Sequence, residues 1–173
     1  YPLFLIQLIF LIKFLINKFR NSKFKRFMIF FLIIMIFNNI YALIIMHPYQ
    51  NSYFNFFFKK GANKYFEIDY WGLANKSALE KLLQNSSEKD IFYIGVASFT
   101  NLNLSKNMLN DKDKKRVNIV GQEYDKANFI FTNFYYEVDV KYDDKYQIPK
   151  NFKKIFSIKK GGIVINEVYQ KLK

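Results

Sequence analysis

The sequence predicts an α/β protein: two N-terminal transmembrane helices, then a small extracytoplasmic domain built on a mixed sheet and ending in a β-hairpin. Three observations carry this expectation. Phe27 to Met46 (FMIFFLIIMIFNNIYALIIM) holds no charged residue. Beyond Met46, short apolar runs of strand length alternate with a leucine-faced helical stretch, the order of a small α/β domain. Near the end, Gly161-Gly162 separates two runs of strand length, and two glycines supply the positive φ angles of a tight hairpin.

The organising element is Phe27–Met46. Twenty residues at a rise of about 1.5 Å cover roughly 30 Å, the thickness of a bilayer's hydrocarbon core. A helix satisfies its own backbone hydrogen bonds and so tolerates the absence of water. Asn38 and Asn39 lie midway, either as handles for hydrogen bonds to neighbouring helices or as polarity that a very apolar helix tolerates. Tyr1–Asn17 is a second apolar run, interrupted by Gln7 and Lys13. It reads as a transmembrane helix cut short by the start of the sequence, with an interfacial helix as the alternative. It lacks the basic start and small-residue cleavage site of a signal peptide. The chain therefore reads as the C-terminal part of a longer membrane protein.

Between the runs lies Lys18–Arg26 (KFRNSKFKR), with five basic residues and no acid. Short loops rich in Lys and Arg stay in the cytoplasm, so the helix after it runs outward and residues 47–173 are expected in the periplasm of a bacterial inner-membrane protein. Membrane lipids are thus expected partners. His47–Lys60 (HPYQNSYFNFFFKK) follows the exit; Pro48 disfavours further helix, and the aromatic residues suit an interfacial belt. Residues 47–64 form this exit segment, and 65–173 the soluble domain.

Within that domain, Tyr65–Gly72 (YFEIDYWG) alternates like a short strand. Ser77 and Glu80 match a capping box, with Leu79, Leu82 and Leu83 as the apolar face of the helix that follows. Ile91–Ala97 is a continuous apolar run, the pattern of a strand covered on both faces. Leu102–Leu109 reads as a short helix and Asp111–Arg116 (DKDKKR) as a charged loop. Val117–Val120 and Phe129–Thr132 read as strands, Phe134–Gln147 as loop, and Lys154–Lys159 with Ile163–Tyr169 as the closing hairpin.

The formal charge is +13, but its distribution argues against a nucleic-acid partner. Residues 1–46 carry six basic residues, and no acid occurs before Glu67; the remaining 21 basic residues share residues 59–173 with all 14 acids. The outward topology also removes the soluble domain from nucleic acid. There is no cysteine, hence no disulfide and no Cys-ligated metal. Six scattered glycines match no phosphate-binding loop. The single histidine, His47, supports no nucleophilic triad. Glu67 and Asp69 share a side if the strand reading holds, either as paired carboxylates or as solvated residues. No catalytic, cofactor or metal residue is expected within the chain.

Two motifs carry a resemblance. HPYQNSYFN (His47, Pro48, Tyr49, Gln50, Tyr53, Phe54, Asn55) is followed by DYWG (Asp69, Tyr70, Trp71, Gly72) ahead of a short helix. Together they resemble the region after the last transmembrane helix of bacterial GT-C glycosyltransferases of the dolichyl-phosphate-mannose–protein mannosyltransferase and aminoarabinose-transferase group. The likeness covers roughly residues 27–173. It implies an enzyme with many helices that moves a sugar from a polyprenyl-phosphate carrier to a glycan, lipid or protein acceptor outside the membrane. It also implies a catalytic acid upstream of this chain, and partnership with upstream helices of the same protein. His47, Tyr49, Gln50, Tyr53, Asn55, Asp69, Tyr70 and Trp71 are then candidates for acceptor contact or for docking the soluble domain. The alternative is a non-enzymatic, membrane-anchored domain that binds an envelope component.

Overall fold

A computed structural model of the chain describes residues 9, 10, 12–14, 17, 18, 22–52, 62, 66–136 and 144–172. It divides into two compact units, one up to Ile45 and one from Met46 onward.

The first unit is dominated by helix α1 (Ser22–Met46, 25 residues). Residues 23–46 are long and apolar enough to cross a membrane, the one such helix among the described residues. Apolar side chains are exposed around the whole circumference: Phe30, Phe31, Ile33 and Ile36 point in four different directions. A surface helix of a soluble domain would show one polar face, and a core helix would be covered. Asn39 donates its amide to the Met35 carbonyl one turn back (2.9 Å), so one of its polar groups is satisfied within the helix. The helix begins at Ser22, not at Phe27, and Lys23, Lys25 and Arg26 belong to its opening turns. Lys and Arg are good helix formers and no Gly or Pro interrupts them, so the expected loop is shorter than its charge pattern implied. The earlier described residues are helical. Most of the expected first span lies outside the described residues, and two transmembrane helices are not established.

The second unit is a mixed α/β domain. Helix α2 (Leu73–Gln84) precedes strand β1 (Phe92–Val96). Helices α3 (Leu102–Asn107) and α4 (Asp111–Arg116) lead into β2 (Val117–Gly121), and β3 (Phe129–Thr132), β4 (Phe152–Lys160) and β5 (Ile163–Lys171) complete the sheet. The strand order is β2-β1-β3-β5-β4. β2, β1 and β3 are parallel, and β5 runs antiparallel to both β3 and β4. β1, the continuous apolar run, lies between two parallel neighbours. Its Phe92, Ile94 and Val96 pack with Ala78, Leu79, Leu82 and Leu83 of α2, and with Phe131 and Val168. Ala97, Ala127, Ile130 and Phe152 form a second cluster. The hairpin turns through Gly161 (φ 55°) and Gly162 (φ 85°), the two left-handed positions that a two-residue turn demands.

Three local expectations are overturned. Residues 66–72 form bends and a turn rather than a strand. The alternation of apolar and polar residues is real, but Asp69 faces inward and Glu67 outward, so the two carboxylates are not paired. Helix α2 starts at Leu73 instead of Ser77. The capping-box residues are engaged elsewhere: Ser77 Oγ lies 2.7 Å from the Tyr49 hydroxyl, and Glu80 pairs with Lys76 at 3.5 Å. DKDKKR is helix α4, capped by the Asn110 side chain on the Asp113 amide. Its acids lie in the first turn and its bases in the last, complementing the helix dipole.

Arg116 closes α4 and ties it to the loop after α2. Its guanidinium donates to Asp113 Oδ1 (3.0 Å), Ser86 Oγ (2.8 Å), and the carbonyls of Ser87 and Asp90, and it stacks over the Phe92 ring. A planar fork meets these four acceptors, whereas an ammonium meets fewer of them. Arg116→Ala is expected to lower stability by about 2 kcal/mol, and Arg116→Lys to recover less than half. The midpoint of urea unfolding measures both.

Candidate functional site

The site is built around the turn Asp69–Gly72. Asp69 is fully buried. Its two carboxylate oxygens accept the backbone amides of Leu73 and Ala74, each at 2.9 Å, two of the otherwise free donors at the start of α2. Its carbonyl accepts the Asn133 side-chain amide at 2.7 Å, and Thr100 Oγ1 donates to Asn133 Oδ1 at 2.8 Å. Loss of water around the carboxyl raises its pKa above the ordinary 3.8, against the pull of the Ala74 and Leu73 amides and the Asn133 side chain. Gly72 has φ 64° and packs on Thr100 and Asn75. Asn75 is itself buried, accepting from Asn166 Nδ2 at 2.7 Å. Asp69 and Gly72 are thus structural brackets.

The two residues between them point outward. Tyr70 is 48% exposed and Trp71 72% exposed. Their rings meet edge to face with centroids 5.0 Å apart, Tyr70 meets Tyr135 at 5.0 Å, and Tyr135 meets Phe99 at 5.7 Å. The four rings form a ridge, Trp71–Tyr70–Tyr135–Phe99. Partial burial, then the neighbouring Tyr70 hydroxyl and Glu67 carboxylate, hold the Tyr135 phenol above its ordinary pKa. The loops are locked together by the Phe99 amide donating to the Tyr135 carbonyl (2.7 Å). Phe134, between Asn133 and Tyr135, sits in the left-handed region (φ 60°), which bulky residues seldom enter.

This ridge lies at the carboxyl ends of β1 and β3. The chain leaves β1 toward β2 on one side, and leaves β3 toward β4, at the far edge beyond β5, on the other. Such a divergence opens a crevice above the sheet, where ligands of open α/β sheets bind. A cleft of about 320 Å³ lies beside Phe99, lined by Ser98, Thr100, Asn101, Asn103, Gln122 and Lys145 among others. Its polar lining is mostly hydroxyls and amides, set among the apolar Val96, Leu102 and Ile119, a mixture that suits a polyhydroxyl ligand with apolar C–H faces. Among the described residues, no three His, Cys, Asp or Glu side chains come together as a metal site.

The other motif is split. Tyr49 is buried, with its hydroxyl on Ser77 and the Lys160 ammonium over its ring. His47 is exposed, and its Nδ1 stands 2.9 Å from Gln50 Nε2. Ser52 Oγ donates to the Ile68 carbonyl (2.6 Å), which joins this motif to the residue preceding Asp69. Tyr53 and Asn55 lie outside the described residues. Phe99, Thr100, Asn133 and Tyr135 were not legible as site residues. The available signal was their position just after strands that end at one edge of the sheet. No family model, curated protein or solved structure matches the chain.

Proposed function

We propose that this chain is the membrane-anchored, extracytoplasmic C-terminal region of an integral-membrane glycosyltransferase that takes a sugar from a polyprenyl-phosphate donor, and that the aromatic ridge receives the acceptor. The observation that carries the reading is the exposed Trp71–Tyr70–Tyr135–Phe99 ridge beside a cleft of hydroxyls and amides. Sugar rings present flat C–H faces that rest on aromatic rings, and their hydroxyls match amide and hydroxyl partners. The apolar helix α1 supports anchoring. The basic residues at its start, with no acid before Glu67, support an outward course. The chemistry of transfer belongs to a carboxylate upstream. Here, Asp69 is committed to the backbone of α2 and is not available to a substrate.

In the complete protein, Trp71→Ala and Tyr70→Ala are expected to raise the acceptor KM by about tenfold each, the loss of one aromatic contact. kcat should change little, and the unfolding midpoint should hold for Trp71→Ala because the ring is exposed. Transfer of radiolabelled sugar from polyprenyl phosphate, followed against acceptor concentration, measures this. An unchanged KM in both variants overturns the ridge as the acceptor surface. Acceptor binding without transfer, in the complete protein, would favour the non-enzymatic binding domain instead.

A further inference from the structure

Within the second unit, the tip of the β4–β5 hairpin lies against Met46, the residue with which that unit begins. A side chain placed on Gly161 would stand 2.8 Å from Met46 Sδ, and Met46 is the last residue of the helix. Tyr49, three residues on, lies under the Lys160 ammonium, 5.7 Å from its ring centre. Tyr49 also shares an apolar cluster with Ile163, the first residue after the turn. The tip is therefore fastened to Met46 and Tyr49, the opening residues of the second unit.

The depth of that point follows from length. Residues 27–46 cover the hydrocarbon core, so Met46 lies at its boundary, and the headgroup layer beyond it is only about 5–8 Å thick. A lysine side chain on a tip held against Met46 reaches into this layer. The tip carries two, Lys159 and Lys160, and among the described residues neither is ion-paired. From Lys145 to Asn166 the chain holds six lysines and no acid. Edge strands carry lysines to prevent strand pairing, and Lys153 and Lys154 at the far end of β4 fit that use. Lysines beside a membrane-exit residue have a second target.

We infer that the hairpin tip is a headgroup-binding spur: Lys159 and Lys160 engage the phosphates of anionic phospholipids around the exit of α1. This rests on the anchoring part of the proposed function and is independent of the sugar chemistry. The spur would hold the soluble domain close to the bilayer surface.

The chain has no cysteine, so Ser157→Cys on β4 accepts a single fluorophore. The labelled chain is reconstituted into vesicles of phosphatidylcholine, with or without phosphatidylglycerol, containing a lipid with a nitroxide on its headgroup. Quenching is expected to be stronger with phosphatidylglycerol and to weaken with salt. Lys159→Gln with Lys160→Gln should weaken the lipid-dependent part by on the order of tenfold, whereas Lys153→Gln should leave it intact. Equal quenching in both vesicle types, or quenching that the double variant leaves unchanged, overturns the spur while the chain still floats with the vesicles. Release of the chain from vesicles by alkaline carbonate would overturn anchoring itself, and the spur with it.

Discussion

Asp69→Ala is expected to lower the unfolding free energy of the soluble domain by about 3 kcal/mol. The helix loses its cap, and a buried amide is left without a partner. Both carboxylate oxygens are occupied, one by each of the first two amides of α2, at a fully buried position. The damage extends beyond the helix start, because the same turn receives the Asn133 amide. Asp69→Asn keeps the shape but turns one acceptor into a donor that faces a donor, and about half the loss is expected. Urea unfolding with an unchanged slope tests both variants.

The same residue sets a pH dependence opposite to that of most carboxylates. Burial raises the folded-state pKa of Asp69 above its ordinary 3.8, so the folded chain holds the proton more tightly than the unfolded chain. The stability from that proton is complete below the ordinary value and is lost as pH rises through the folded value. Wild-type stability should therefore carry a downward component across that window, and Asp69→Asn should remove it. An upward component at the same pH would show that the amide bonds outweigh desolvation.

Gly72→Ala is the second large effect, about 3 kcal/mol. Part is conformational: a left-handed φ costs a residue with a Cβ roughly 1–2 kcal/mol. The rest is steric. The new methyl collides with Thr100 Cγ2 and comes within 2.8 Å of Asn75 Nδ2. Neither neighbour can yield cheaply, since Thr100 is bonded to Asn133 and Asn75 to Asn166. Gly121 provides the control. Its φ is 62°, yet nothing lies within 4 Å of where its Cβ would stand. Gly121→Ala should therefore show only the conformational part, about 1 kcal/mol. If the two variants unfold alike, packing at Gly72 contributes nothing.

Seen through these residues, the four-residue DYWG element divides cleanly. Its outer members build the turn and its inner members face solvent. Tyr70 and Trp71 can thus change without unfolding the domain, which makes their functional role separable from Asp69 and Gly72. The reading of Tyr65–Gly72 as a strand failed because alternation is also what a capped turn produces when one polar residue is pulled inward by backbone amides. Ser77 and Glu80 matched a helix start in type and spacing, but Asp69 had already met the amides of α2 four residues earlier.

Properties that depend on residues near one another in the chain were determined by the sequence itself. They include the uncharged run of α1, the two-glycine turn, the apolar strand β1, and the mixed α/β class. Each is set by periodicity, charge or backbone freedom within a short window. The ridge was decided only by the tertiary structure. Parallel pairing brings the carboxyl ends of β1 and β3, and so Phe99 and Tyr135, to one edge, and α2 packed on β1 carries the turn before it there, so that Tyr70 meets Tyr135 and Asp69 meets Asn133 across 64 positions. No local pattern records which loops will meet there, since the meeting depends on strand order, and strand order is set by how the whole core packs.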